Sequence, residues 1–186
     1  MSIQQELITY YHLLRRYGIN DSHSGNASVR GGEQVWVTPT GANADTLTTE
    51  QLVQCDLQGQ QTEGASLDTP LHLAVYQHNP TAQCVLHSHG PYTLAMTMDG
   101  KDFHPIDFEG QYYFGVVPVL NIAYGDYLDA SPQQVAKTLA QHKICVVQGH
   151  GIYTQADSLN LAYKWTCTLE HVAKVAYLTE QRAKPS

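Results

Sequence analysis

The stretch that organises this chain is Cys84-Val85-Leu86-His87-Ser88-His89-Gly90, an apolar run that ends in two histidines two residues apart. If the run is a β-strand, its period of two places both imidazole rings on one face, close together. Neutral imidazoles are good ligands for zinc and other borderline divalent metals. The pair therefore predicts two ligands of a metal site.

A third histidine follows a second apolar run. His150 ends the segment Ile144-Cys145-Val146-Val147-Gln148-Gly149-His150, and the glycines on either side of it allow close approach of a backbone or a ligand. Three histidines with an open fourth position are typical of a catalytic metal site. Two surface histidines on an exposed strand are the alternative, but continuous apolar runs are usually buried on both faces. We therefore predict a metal site at His87, His89 and His150.

Length and composition indicate one globular domain, 1–186. The chain has 186 residues, of which 42% are hydrophobic and 15% charged, enough for a sizeable core. Its formal net charge of -7, without any basic stretch, argues against a nucleic-acid partner. No signal peptide and no membrane-spanning apolar run is visible. The four cysteines show no Cys-x-x-Cys spacing, and reduced thiols in a cytoplasmic protein fit them best.

Short elements predict a mixed sheet within an α/β domain. An amphipathic helix begins after Ser2 and stops at Gly18, and segments 24–30 and 33–38 form a hairpin. Further strands are expected at 55–57, 82–88, 116–120 and 144–150, with a turn at 58–60. Further helices are expected at 48–53, 68–78, 91–98, 131–142 and 157–181, the fourth of them starting with a capping box at Ser131-Pro132.

Asp68 supports two interpretations. It precedes Pro70 and an apolar helical stripe, which is the position of an N-cap residue with a proline in the first turn. Helix capping alone would explain a carboxylate there. A carboxylate close to a metal site could equally be a ligand or a general base.

Three other segments offer polar groups to such a site. Ser24-Gly25-Asn26 and Thr40-Gly41 carry small side chains and backbone N–H groups that can cradle a phosphate, although each is also typical of a simple turn. Segment 101–115 reads as irregular and as lining a site. Its candidate polar residues are His104, Asp107, Glu109, Tyr112 and Tyr113.

Five motifs, in this order, resemble the class II aldolase/adducin-head family, the relatives of L-fuculose-1-phosphate aldolase and L-ribulose-5-phosphate 4-epimerase. Each motif is common, but all five in one order are specific. They are Ser24-Gly25-Asn26-Ala27-Ser28-Val29-Arg30, Val37-Thr38-Pro39-Thr40-Gly41, Asp68-Thr69-Pro70-Leu71-His72, His87-Ser88-His89 and Gly149-His150-Gly151.

The resemblance implies a three-layer α/β/α fold with a largely antiparallel sheet, and a homotetramer with active sites at subunit interfaces. It implies zinc, with another divalent metal such as Mn²⁺ as the alternative, at His87, His89 and His150. Asp68 takes the place of the acid/base carboxylate. The positions that match a substrate phosphate site are Gly25, Asn26, Thr40, Gly41 and Ser66.

The implied reaction is that of an aldolase-type lyase. It would act on a small sugar phosphate or hydroxy-carbonyl compound through a metal-stabilised enediolate. A dehydratase, a decarboxylase and a 4-epimerase of the same family share that intermediate and are the alternatives.

Three departures from the family pattern refine this expectation. Family phosphate sites have two consecutive hydroxyl residues before the carboxylate, whereas this chain has Ser66-Leu67, which weakens anion binding. Thr38 stands where epimerases carry a lysine. No tyrosine follows Tyr177, although family members use one from a C-terminal tail. We therefore assign the second acid to Glu109 or Tyr113, with water as the alternative.

Two interpretations outside this group of enzymes are alternatives to the aldolase-type lyase. A cupin also carries His-x-His and a later histidine, but needs an all-β barrel and a glutamate shortly after the pair, where this chain has Gly90-Pro91-Tyr92-Thr93. A non-enzymatic adducin-like binding module is the stronger rival. Such modules tend to lose the metal histidines, and this chain retains all three. The enzyme is therefore the favoured interpretation.

Overall fold

The computed structural model describes residues 1–59 and 62–183, so Gln60 of the expected turn and the last three residues lie outside the description. Two short 3₁₀ turns, Thr49–Gln51 and Tyr124–Asp126, complement the regular elements. The strands are β1 (Asn26–Gly31), β2 (Gln34–Val37), β3 (Val53–Asp56), β4 (Cys84–Ser88), β5 (Val119–Leu120), β6 (Ile144–Val147) and β7 (Gly151–Ala156). The helices are α1 (Ile3–Arg16), α2 (Thr69–His78), α3 (Pro91–Thr97), α4 (Phe108–Tyr113), α5 (Tyr127–Leu139) and α6 (Leu159–Ala183).

The seven strands form one sheet in the order β3-β2-β1-β4-β7-β6-β5. Every pair is antiparallel except β5 and β6. The strand that carries the histidine pair, β4, is central, and His87 lies opposite Asn26 on β1 and opposite Tyr153 on β7. The predicted α/β class and the largely antiparallel sheet are confirmed.

Helices cover both faces of the sheet, and β6 shows how the sequence allows this. Cys145 and Val147 pack with α2 and α5, whereas Ile144 and Val146 pack with α6. Alternate side chains of the run therefore enter different apolar cores, and no polar residue is needed between them. This is why the strand reads as a continuous apolar segment.

Helix α6 also supports the end of β4. Its Glu170 carboxylate is buried and accepts hydrogen bonds from the backbone N–H groups of Tyr92 and Thr93, both at 2.9 Å. Those residues begin α3, directly after the histidine pair, so Glu170 caps α3 from a distance. None of the described helices combines the length and the apolar character needed to span a bilayer.

Three expectations about local structure were wrong. Segment 48–53, expected to be a helix, contains only the 3₁₀ turn Thr49–Gln51, and Val53 begins β3. Helix α5 begins at Tyr127 rather than Ser131, so Pro132 lies inside the helix. The 3₁₀ turn Tyr124–Asp126 leads straight into α5, and the proline costs only one backbone hydrogen bond near the helix start. Segment 101–115, expected to be irregular, contains the short helix α4.

Candidate metal centre

The three predicted histidines meet at one point. The Nε2 atom of His87 lies 2.9 Å from Nε2 of His89 and 3.0 Å from Nε2 of His150. One ligand atom from each ring lies within 4.8 Å of the other two. Neutral imidazole nitrogens turned toward a common point are the donor set of a three-histidine metal site, so these residues fit a divalent ion.

His87 is held in the tautomer that a metal ligand requires. Its Nδ1 atom lies 3.0 Å from the carbonyl oxygen of Ile152. A carbonyl can only accept, so Nδ1 carries the proton and Nε2 keeps its lone pair. Burial, together with the two neighbouring histidines, holds the pKa of His87 well below its usual value. Burial likewise lowers the pKa of His89 and of His150. All three rings therefore favour the neutral, metal-binding form.

Backbone contacts place the other two histidines. The N–H of His89 donates to the side-chain oxygen of Asn20 at 3.0 Å and to the carbonyl of Ile19 at 3.1 Å. His150 lies in the turn that joins β6 to β7, where Gly149 has a φ of +67°. Only glycine adopts such a φ without cost, which explains the glycine ahead of this histidine.

Asp68 occupies the expected N-cap position of α2, but its carboxylate does not cap the helix. Its side chain makes no hydrogen bond to the N-terminus of α2. Instead, Oδ2 accepts from Nδ2 of Asn26 at 2.9 Å and from the hydroxyl of Tyr153 at 3.0 Å. Oδ1 accepts from the hydroxyl of Tyr127 at 2.8 Å. The capping interpretation is therefore wrong, and the buried carboxylate faces the histidines.

The electrostatics around Asp68 keep it ionised. Burial by itself raises the pKa of this carboxyl, but the hydrogen bonds that it accepts from Asn26 and Tyr127 favour the ionised form, and its pKa is lowered. Its Oδ2 atom lies 3.9 Å from Nε2 of His87. Burial raises the pKa values of Tyr127 and Tyr153, so their hydroxyls keep their protons and donate. The result is a negative charge fixed beside the metal ligands.

The histidines and Asp68 open into a cleft of about 1030 Å³. The glycine-containing loops and the segment before α2 form one wall. A second wall comes from the start of α5 and the residues that precede it. The structure brings all five residues of the expected phosphate site into this cleft, namely Gly25, Asn26, Thr40, Gly41 and Ser66.

Backbone groups are among the hydrogen-bond donors left in the cleft. Within the described part of the chain, the N–H groups of Gly25, Gly41 and Leu67 donate to no acceptor. The Ser66 hydroxyl accepts a backbone N–H, which leaves its own proton for a ligand. The Thr40 hydroxyl already donates to a backbone carbonyl at 2.7 Å. Among the described residues that line the cleft there is no lysine or arginine.

The candidates for the second acid lie elsewhere. Glu109 is exposed on α4, and the ring of Tyr113 lies 4.4 Å from the Nζ atom of Lys164. None of the polar residues singled out between 101 and 115 is among the described residues that line the chain's own cleft.

Sequence reasoning missed three residues of the site: Asn20, Tyr127 and Tyr153. Tyr153 follows His150 by three residues, but only the pairing of β7 with β4 reveals that it faces His87. Tyr127 was hidden because the helix was expected to begin at Ser131. Asn20 precedes the first glycine loop and belongs to none of the sequence motifs described above.

The fold and the site together define a class of protein. The chain belongs to the family described as Class II Aldolase and Adducin N-terminal domain, which it matches over residues 5–177. The resemblance inferred from the five motifs is confirmed.

Several relatives carry the name of an aldolase. An L-fuculose phosphate aldolase of Methanococcus maripaludis is 29% identical over 167 residues, which cover 88% of this chain and 89% of that protein. The L-fuculose phosphate aldolase of Escherichia coli K12 is 27% identical over 178 residues, covering 89% and 78%. The crystal structure of L-fuculose-1-phosphate aldolase from Thermus thermophilus superimposes with a TM-score of 0.89 at 29% identity, covering 97% of this chain and 96% of that one.

These similarities support a metal-dependent aldolase-type lyase. They do not favour the dehydratase, decarboxylase, epimerase or adducin-like alternatives.

Gly151 provides a test of the histidine geometry. A Cβ atom there would lie 2.5 Å from the carbonyl oxygen of Ser88, 2.6 Å from Cε1 of His87 and 2.9 Å from Cδ2 of His89. The Gly151→Ala variant must displace the histidines and should lose about tenfold to a hundredfold in zinc affinity, measured by competition with a chromogenic chelator. Gly125→Ala is the control, because a Cβ there meets nothing within 4 Å. Equal affinities in the two variants would contradict the arrangement.

Proposed function

We propose that the protein is a zinc-dependent aldolase that cleaves a carbon–carbon bond in a small sugar phosphate, of which L-fuculose 1-phosphate is the first candidate. One observation carries the proposal: three imidazole nitrogens converge beside a buried, ionised carboxylate that has no capping role. The named relatives act on L-fuculose phosphate, which makes this compound the first to assay.

The donor set favours zinc over harder metals. Three nitrogen ligands with an open position suit zinc, whereas magnesium and calcium prefer oxygen ligands. Manganese is the alternative in this proposal. When bound, a divalent metal held by His87, His89 and His150 supplies a Lewis acid that polarises the carbonyl group of the substrate.

Asp68 is the group that moves the proton. In the direction of bond formation, its ionised carboxylate removes a proton from the carbon beside the carbonyl, and in cleavage it returns that proton. Its place beside His87, at 3.9 Å, keeps it within reach of a substrate bound at the histidines. Because the buried surroundings exclude water, the charge of the carboxylate acts more strongly on nearby groups than it would in solvent.

The reaction also requires a second group that transfers a proton. We keep Glu109 and Tyr113 as candidates, and their distance from the chain's own cleft requires that they act in the cleft of a neighbouring copy. A homotetramer with sites at subunit interfaces meets this requirement. The exposed rings of Phe108 and Tyr112 on the same helix, 83% and 74% accessible, support a contact surface there. The free cysteines support placement in the reducing cytoplasm.

The phosphate would bind at the glycine loops. The N–H groups of Gly25, Gly41 and Leu67 and the hydroxyl of Ser66 are donors that could replace part of its hydration. The absence of lysine and arginine from the described lining limits the strength of this binding. The binding of an anion at these loops would depend on backbone dipoles and on the charge of a bound metal.

The function is tested by assaying L-fuculose 1-phosphate cleavage alongside zinc content. We expect wild type to hold about one zinc per chain and to release dihydroxyacetone phosphate. His89→Ala should lose both zinc and cleavage, whereas His171→Ala, which changes an exposed histidine of α6, should keep both. Full zinc occupancy in His89→Ala, or no cleavage of any sugar phosphate by zinc-loaded wild type, would overturn the proposal.

The role of Asp68 is tested by Asp68→Asn. Asparagine has nearly the same size as aspartate, but it cannot take up a proton and accepts fewer hydrogen bonds. We expect turnover to fall by about 10²–10⁴ and the free energy of unfolding to fall by about 1–3 kcal/mol. Steady-state kinetics and urea denaturation measure the two effects. Undiminished turnover would return Asp68 to a structural role.

The anion site is tested by Leu67→Ser. This change adds a hydroxyl beside an N–H that has no acceptor in the described chain, and should tighten inhibition by inorganic phosphate by up to about tenfold. Leu128→Ser, on the opposite wall, is the control and should leave inhibition unchanged. If neither wild type nor Leu67→Ser responds to millimolar phosphate, the loops do not bind an anion.

A further inference from the structure

Two tyrosines lie against the metal ligands from different elements of the fold. The ring of Tyr153, on β7, stacks on His87 with centroids 4.1 Å apart and an interplanar angle of 5°. The ring of Tyr127, the first residue of α5, stacks on His150 at 4.4 Å and 12°. Each ring therefore covers one face of a ligand imidazole and limits its rotation.

The hydroxyls of the same two residues meet at Asp68. Tyr127 donates to Oδ1 at 2.8 Å and Tyr153 donates to Oδ2 at 3.0 Å. The two hydroxyl oxygens also touch each other. Three oxygen pairs are thus in contact, two between a tyrosine and Asp68 and one between the tyrosines, but the two hydroxyls carry only two protons. Because the ionised carboxylate is the strongest acceptor, both hydroxyls donate to Asp68.

Counting lone pairs shows what is left for chemistry. A carboxylate has about four acceptor sites, two on each oxygen. Oδ2 of Asp68 uses both of its sites, since it accepts from Asn26 as well as Tyr153. Among the described residues, Oδ1 accepts from Tyr127 alone and keeps one site. By this count, Oδ1 is the oxygen with a free acceptor site for a proton.

We propose that Tyr127 and Tyr153 are positioning residues of this centre: their hydroxyls fix the orientation of the Asp68 carboxylate, and their rings fix the imidazoles of His150 and His87. The inference rests on the proposed function and adds a structural cause for it. One pair of side chains links the acid/base group to two of the histidines, so the Asp68 carboxylate and the imidazole nitrogens that would hold a metal keep a constant separation. Such linkage is what preorganisation of a site requires.

The hydroxyl role is tested with phenylalanine variants, which keep the ring. We expect Tyr127→Phe and Tyr153→Phe each to bind zinc as wild type does and to lose about tenfold to a hundredfold in kcat. KM should change far less. Tyr10→Phe is the control, because its hydroxyl accepts from Asn160 at 2.8 Å, away from the cleft. It should leave kcat unchanged.

A double-mutant cycle separates positioning from an independent contribution. If Tyr127 acts through Asp68, Tyr127→Phe should cost less than about twofold when added to Asp68→Asn, because no carboxylate remains to be oriented. Losses that multiply would show that the hydroxyl acts on its own and would overturn the inference. Full kcat in both phenylalanine variants would also overturn the inference.

The ring role is tested by zinc affinity alone, without any substrate. Tyr127→Leu removes the ring from a half-buried position, and should weaken zinc binding by about tenfold relative to Tyr127→Phe in chelator competition. Equal affinities in these two variants would overturn the inference. This measurement also separates the two proposals. If zinc-loaded wild type cleaves no sugar phosphate, the proposed function fails, while the two zinc affinities still decide whether the ring of Tyr127 positions His150.

Discussion

The hydrogen bond from Nδ1 of His87 to the carbonyl of Ile152 is the contact on which the site depends. It joins β4 to β7 in the middle of the sheet and leaves the Nε2 lone pair of a buried imidazole facing the cleft. The other groups are placed relative to this ring. His89 follows it along the chain, Tyr153 lies opposite it on β7, and Asn26 lies opposite it on β1 and holds Asp68. A central strand with neighbours on both sides can gather these groups, whereas an edge strand could not.

The charge balance explains why such a protein needs a metal. The chain is acidic overall, with a formal net charge of -7, and the described lining of the cleft contains no lysine or arginine. The lowered pKa values of the histidines keep these rings uncharged near neutral pH. A buried carboxylate and an anionic substrate would repel each other in this setting unless a cation lay between them. Three neutral imidazoles are the ligands that can hold one there.

Much of this centre follows from the sequence, because strand periodicity and continuous apolar runs are strong local signals. These signals identify His87, His89 and His150, and the glycines with small polar neighbours identify the two loops. What the sequence could not show is how distant elements meet. The position of Asp68 before α2 matches a helix cap, but its actual partners come from β1, β7 and α5. Tyr127 escaped notice because Ser131-Pro132 is a strong local start signal that the fold overrides. Glu109 and Tyr113 were chosen from the polar segment 101–115 because the tyrosine of the family pattern is missing, and the chain's own cleft does not include them.

The most direct test of this account is a zinc titration of metal-depleted protein, followed by the initial rate of L-fuculose 1-phosphate cleavage. We predict negligible cleavage without metal, a linear rise on addition of zinc, and a break at about one ion per chain. Cleavage by the metal-depleted protein at the rate of the loaded protein would contradict the account. A rate that does not respond to zinc or to manganese at any ratio would contradict it equally.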